Sequence, residues 1–361
     1  MTEGYLYHTV TLSREPVIVR FCISLSASPH LTTLVTSLHL PDISGQILHG
    51  GHTSRLLLTT LSSLRNLSSL TLRLADGLER SGITGANLSV FQQLVGLRFP
   101  HLRAFATNLS VYVFPTGLAF LRAHPLLADL DFGFSPVSHV RTESDALAAL
   151  RFPALRALAC GPWFLHDRFA VPRTLVHFHA RDLDLEPGEL PRIARLLGTQ
   201  LVSLRVSERF AYHPEQRAGP HAVRLDELVG LFPRLCFLQL DVHLVAVPYI
   251  SKHIVNCTAE RPESAGDGRP QTRREERLTI AWVCGRRPWS SRVDMNIAPI
   301  EWDVFLKETA LAVLRDWGDY VERVVYRHPT APWRSVALGE DGASAMYREE
   351  RAMQDEEWKL I

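Results

Sequence analysis

Leu67-Ser68-Ser69-Leu70-Thr71-Leu72 is a short apolar phrase whose last four residues alternate polar and apolar, the pattern of a strand with one buried face. The same L-x-x-L-x-L form returns, with substitutions, at Leu127 to Phe132, Leu155 to Cys160, Leu201 to Val206 and Leu235 to Leu240. Weaker copies run from Val35 to Leu40, Leu102 to Thr107 and Leu175 to Ala180. Taking the fourth position as a marker gives Leu38, Leu70, Phe105, Leu130, Leu158, Phe178, Leu204 and Leu238. Their mean separation is roughly 29 residues, at the long edge of the leucine-rich repeats.

Between the phrases lie stretches of helical period: Arg55 to Leu64, Leu88 to Leu97, Gly117 to His124, Ser144 to Leu150, Leu190 to Leu197 and Leu225 to Leu231. Pro29, Pro100, Pro125, Pro153 and Pro233 each fall a few residues before a phrase, where proline stops a helix and holds the preceding residue extended. Each unit therefore reads as strand, loop, helix, loop. One such unit cannot cover its own apolar face, so neighbours must stack and their strands must lie parallel. The expected fold is an α/β leucine-rich-repeat solenoid, with a parallel sheet on the concave face and helices on the convex face.

The expected organisation is a degenerate repeat array over 1–285, interrupted by a mobile insertion loop at 259–277, where the sequence is polar and rich in Pro, Gly and charge. A capping region follows at 286–338, with strands expected at Leu278 to Cys284 and Val321 to Tyr326. The helix between them, Trp302 to Trp317, would bury Trp302, Phe305, Leu306, Leu311, Val313, Leu314 and Trp317. Residues 339–361 read as a charged tail, helical or disordered. Tryptophans crowd the C-terminal part, and those near Trp289 and Trp333 read either as a docking patch or, more plainly, as filling for the cap's core.

The 39 Lys and Arg residues nearly cancel the 38 Asp and Glu, so no global field favours nucleic acid or an anionic membrane. The five cysteines form no CxxC or Cys/His ligand spacing and read as buried thiols of a reducing compartment. No basic-then-apolar leader opens the sequence and no run of about 18 apolar residues could span a bilayer. The expectation is an intracellular protein, cytoplasmic or nuclear.

The opening Leu6-Tyr7-His8-Thr9-Val10-Thr11-Leu12, then Ser28-Pro29-His30-Leu31 and Leu34-Val35-Thr36-Ser37-Leu38-His39-Leu40, resembles the join between F-box and repeats in the fungal, basidiomycete-type F-box-like leucine-rich-repeat proteins. The Phe-Pro strand openings at Phe99, Phe152 and Phe232 are similar to theirs as well, and the resemblance covers most of residues 5–245. It implies a substrate-recognition role in a cullin-type ubiquitin ligase, with an F-box docking the adaptor and the repeats holding the target. An F-box is a helical segment of about 40 residues placed before the Leu-Tyr-x-x-Val-x-Leu phrase, and this sequence has only four residues before Tyr5. Adaptor binding is therefore expected only with an F-box upstream.

Positions between the marker residues face the concave side of a solenoid, where repeat proteins usually hold their ligands. The candidate partner-binding residues are Arg73, Asp129, Asp131, His177, His179, Arg181, Arg205, Gln239 and Asp241, with Asp129, Asp131, His177, His179 and Arg181 at the centre of a mixed-charge surface. The plainer alternative is a solvated sheet face, polar in any such fold. His177-Phe178-His179 puts two imidazoles on one side of a strand, as a zinc site would, but no third ligand stands at a defined spacing, so no metal is expected. No nucleophile elbow, P-loop, dinucleotide phrase or H-E-x-x-H helix occurs, and no cofactor is expected. These readings converge on a non-catalytic interaction scaffold for another protein; a ligase-independent binding module and an α/β enzyme with an unrecognised active site stand as alternatives.

Overall fold

The computed structural model describes residues 7–43, 51–74, 93–108, 115–133, 150–161, 164–165, 170–183, 189–208, 228, 230–243, 278–285, 299–317, 321–327, 333–338, 345–350 and 359. The chain is mixed α/β with mostly parallel strands, and it divides into two compact units, Met1–Leu175 and Val176–Ile361. Among the described residues no helix is long and apolar enough to cross a membrane.

The first unit contains β1 (Thr9–Thr11), β2 (Ser37–Ile43), β3 (Ser69–Leu74), β4 (Ala104–Thr107), β5 (Asp129–Phe132) and β6 (Ala157–Cys160). Each pairs with the next in chain order, always parallel. Val10, Leu38, Leu70, Phe105, Leu130 and Leu158 stand in one register row across these strands, and from Leu38 onward every member of the row is buried. The marker spacing read from the sequence is thus a physical row.

A parallel pair needs a crossover, and here the crossovers carry helices α1 (Glu15–Ala27), α2 (His52–Ser63) and α3 (Pro115–Arg122), with a 3₁₀ turn at Pro29–Thr33. The helix α1 has no counterpart in the stretches read as helical from the sequence. Its signals are nonetheless ordinary: Pro16 in the first turn, and Ile18, Phe21, Cys22 and Leu25 buried at helical spacing. It packs on α2, and Thr53 on α2 donates a hydrogen bond to Glu15 Oε1 at 3.1 Å. Burial pushes the Cys22 thiol up from its ordinary value, against the opposing hydrogen bond of Thr60, so this cysteine serves as a small neutral filler.

The strands β4, β5 and β6, and one strand of the second unit, are entered in the same way. In Phe99-Pro100-His101-Leu102 the Leu102 N–H donates to the Phe99 carbonyl at 3.1 Å, and Leu127, Leu155 and Leu235 repeat the bond to His124, Phe152 and Phe232. Two successive N–H groups then converge on one carbonyl of the preceding repeat: Ser68 and Ser69 on Thr36, Arg103 and Ala104 on Ser68, Ala128 and Asp129 on Arg103, Arg156 and Ala157 on Ala128. This bond pattern steps from repeat to repeat and fixes the register, which is why a tolerant apolar phrase suffices to specify it.

The second unit continues the motif in β7 (His177–Leu183), β8 (Ser203–Glu208), β9 (Phe237–His243), β10 (Leu278–Gly285) and β11 (Val321–Arg327), all parallel neighbours in chain order. Phe178, Leu204, Leu238, Ile280 and Val324 form its buried row. The helix α4 (Glu189–Leu197) ends at Gly198, where a Cβ would lie 2.5 Å from the Ala194 carbonyl oxygen and 2.6 Å from that of Leu231. The helix α5 (Pro299–Trp317) buries Leu306, Ala310, Val313 and Leu314 and packs on β11 and β12. Trp302, Phe305 and Trp317, expected in that apolar set, have side chains outside the described residues.

Two strands then turn back: β12 (Trp333–Leu338) and β13 (Ala345–Glu350) pair antiparallel, β12 on β11 and β13 on β12. Five residues separate β11 from β12 by their bounds, too few for a parallel crossover. The tail expected as helix or disorder over 339–361 therefore contains a strand, with Met346, Tyr347 and Arg348 exposed on it. Trp333 is buried, with the Arg327 guanidinium 5.6 Å from its ring centroid, which fits the cap-filling reading; Trp289 and the loop at 259–277 lie outside the described residues.

Candidate interaction surface

In the first unit the residues flanking the marker row project from the other face of the sheet. One register line reads Thr9, Ser37, Ser69, Ala104, Asp129, Ala157, and the next reads Thr11, His39, Thr71, Ala106, Asp131, Ala159. Thr9 and Thr11 are exposed, and Ser37, His39, Ser69, Thr71, Ala104, Ala106 and Asp129 are half-exposed. The face closes at its far end, where Asp131, Ala157 and Ala159 are buried.

His39 organises the open end. Its Nε2 lies 2.9 Å from Ser37 Oγ and its Nδ1 lies 3.0 Å from Thr71 Oγ1, so one imidazole is held between a hydroxyl on its own strand and one on the next. Serine, imidazole and an orienting hydroxyl in line are the parts of an activated nucleophile. Strand N–H groups, however, lie in the plane of the sheet, so the ladder beneath offers no outward pair of donors to an oxyanion above Ser37.

Arg73 Nη2 donates to Asp131 Oδ2 at 2.7 Å, reaching from β3 across β4 to β5. Ala106 on β4 stands between Thr71 and Asp131 in the register, and its methyl group leaves the guanidinium room to cross. A Cβ at Gly133 would sit 3.7 Å from Arg73 Nε, an ordinary contact distance, so this glycine borders the bridge without being required for it. A cation and an anion read from the sequence as separate members of a mixed-charge surface are thus bonded to each other.

The second unit presents a different face. His177, Ser203, Phe237 and Thr279 form one register line, and His179, Arg205, Gln239, Ala281 and Val325 the next. Phe237, Ala281 and Val325 are fully buried, and so, to within a few per cent, are His177, His179, Ser203, Gln239 and Thr279. His179 Nε2 lies 2.7 Å from Ser207 Oγ. His177, His179 and Gln239, expected on an open surface, are therefore interior groups, as is Asp131 in the first unit. The physical reason is legible in the strands themselves: Leu278 to Cys284 is almost continuously apolar, the mark of a parallel strand covered on both faces.

Of the other candidates, Arg181 and Arg205 are half-exposed on β7 and β8, and Asp241 on β9 pairs in register with Ser207 on β8, the Asp241 side chain lying outside the described residues. Asp129 and Asp131 belong to the first unit and His177, His179 and Arg181 to the second, and each group is placed within its own unit. Among the described residues, no three His, Cys, Asp or Glu side chains gather around a possible metal position. Ser37 and Ser69 are not among the residues expected from the sequence, because a small hydroxyl side chain carries little chemical signal of its own. Their signal is positional, one residue before the marker.

No protein-family model matches the chain, and no curated protein matches it.

Proposed function

We propose that both units are runs of degenerate leucine-rich repeats and that the protein is a non-catalytic scaffold which binds another protein through the polar sheet face of the first unit. The observation that carries this reading is the contrast within that sheet, a buried marker row beside half-exposed Ser37, His39, Ser69 and Thr71. Small polar side chains at strand spacing form a flat surface rich in donors and acceptors, which suits a protein partner better than a small molecule needing an enclosed cavity. In the resemblance to F-box-like repeat proteins, the partner would be a target for ubiquitylation; without an adaptor it would be the client of a ligase-independent module.

The test replaces Thr71 at the middle of the face by Trp and, as control, exposed Thr59 on α2 by Trp. Proteins crosslinked to the wild type in cells of the source are expected to be retained by Thr59→Trp and lost from Thr71→Trp, with both variants folded by circular dichroism. Retention of the same set by Thr71→Trp ends this reading. Recovery of a cullin adaptor assigns the ligase role, and recovery of the face-dependent partner without adaptor assigns the independent module. Labelling of Ser37 by a fluorophosphonate, abolished in His39→Ala, would favour the enzyme alternative instead.

A further inference from the structure

His124 closes a joint inside the first unit, between the end of α3 and the turn that leads into β4. Its Nδ1 lies 2.7 Å from the Phe120 carbonyl oxygen, which can only accept, so Nδ1 carries a hydrogen and donates it. The Phe99 backbone N–H, which can only donate, points at Nε2 from 3.0 Å, so Nε2 keeps its lone pair. Only the neutral ring fills both roles. The residue is 2% exposed, stacked on Phe99 with ring centroids 6.0 Å apart and against Phe120 at 4.1 Å. Phe120 in turn packs on Phe105 of β4 at 5.0 Å, so the imidazole sits in an aromatic cluster that spans two successive repeats.

Among the described residues, the charged groups on the elements that form the joint are Arg98, His101, Arg103 and Arg122. Arg98, on the turn, is tethered by Nη1 donating to the carbonyls of Val95, Gly96 and Leu97 at 3.3, 3.3 and 3.0 Å, so its positive charge is held beside the joint. Arg122 on α3, and His101 and Arg103 between the turn and β4, are exposed. Burial holds the His124 pKa below its ordinary 6.5; the Phe120 carbonyl opposes that shift and the charge of Arg98 adds to it.

We propose that His124 is a proton-operated joint: uptake of a solvent proton at Nε2 removes the acceptor for the Phe99 N–H and releases the turn before β4 from α3. The sign follows from the ring being neutral when the joint is closed. The opened chain binds the proton more readily, so the closed form has its full stability above pH 6.5 and loses it as the pH falls through the lower value of the buried ring. Arg73 reaches Asp131 across β4, so the joint governs the strand at the middle of the half-exposed face.

The experiment follows the His124 ring by NMR and the Phe99 amide by hydrogen exchange on the full chain from pH 7.5 to 5, with exchange corrected for its intrinsic pH dependence. The expected midpoint for His124 lies below 6.5, and opening at Phe99 rises about tenfold per pH unit between 6.5 and that midpoint, one proton per opening event. In His124→Gln, which cannot titrate there, the pH slope at Phe99 vanishes. A midpoint at or above 6.5, a Phe99 amide whose opening is independent of pH, or an unchanged slope in His124→Gln each overturns the proposal. Should that variant fail to fold, the wild-type midpoint and slope decide it alone.

Discussion

Ser69 in the first unit and Phe237 in the second occupy the same place in their repeats, one residue before a buried marker leucine and entered by the same pair of converging N–H bonds. Yet Ser69 is half-exposed and Phe237 is fully buried. The backbone phrase is common to both, so the marker row and its register do not decide whether the opposite face of the strand meets water. The intervening side chains differ between the two faces. The first unit sets half-exposed Ser37, His39, Ser69 and Thr71 there, whereas in the second unit Phe237, Ala281 and Val325 are interior and His177, His179, Ser203 and Thr279 are buried with them.

The comparison breaks most readily at Phe237. Replacing a fully buried phenylalanine by alanine costs about 3–5 kcal/mol through lost transfer energy and the cavity left behind. Ser69→Ala, at the equivalent half-exposed position, is expected to stay within about 0.5 kcal/mol of the wild type. Denaturant unfolding followed by tryptophan fluorescence and circular dichroism measures both. Equal effects would mean that the two sheet faces are not different surfaces at all.

A smaller contrast is offered by two glycines. A methyl group at Gly198 would meet backbone carbonyl oxygens of Ala194 and Leu231 at 2.5 and 2.6 Å, neither of which can move without shifting α4 or the next repeat. Gly198→Ala is therefore expected to destabilise by about 1–3 kcal/mol, the usual range for overpacking. At Gly133 the nearest atoms stand at 3.5 and 3.7 Å, ordinary contact, and Gly133→Ala should be neutral or stabilising by less than about 1 kcal/mol. A thermal midpoint that falls for Gly133→Ala as much as for Gly198→Ala would show that the open face is packed as tightly as the helix layer.

Much of this is legible in the sequence. The row Leu38, Leu70, Phe105, Leu130, Leu158 and the row Phe178, Leu204, Leu238 follow from alternation and spacing, because a parallel register slips only by turning the leucines to the wrong side. The faces were less legible. Strict alternation was assumed for every strand, whereas Phe237, Ala281 and Val325 stand at outward positions, and an apolar residue there is the sequence's statement that the face is covered. Two elements went unread for opposite reasons. The helix α1 lies outside the repeat phrase, and β13 carries three adjacent charges that argue against a strand unless it is an edge. The His124 joint could not be read at all, since it depends on two backbone groups meeting one ring.

The Arg73–Asp131 contact separates what sequence supplies from what register supplies. Both residues were recognised as surface charges, and only the pairing of β3, β4 and β5 turns two charges 58 positions apart into neighbours across an alanine. Its strength should lie between the two faces compared above. The Arg73 side chain is 36% exposed and Asp131 is mostly covered, so water screens the pair from one side. A double-mutant cycle of Arg73→Ala and Asp131→Ala is expected to give a coupling of about 1 kcal/mol, the upper end for exposed pairs. That is well short of the roughly 3–5 kcal/mol lost on breaking a buried one. The coupling should shrink as salt rises to about 1 M, where the screening length falls to about 3 Å. A coupling near zero would reduce the bridge to a crystal-like surface contact and leave the open face defined by its hydroxyls alone. One that holds undiminished at high salt would place the pair with the buried groups of the second unit, and the open face would then end at Ala106, one strand earlier than the exposures of the side chains indicate.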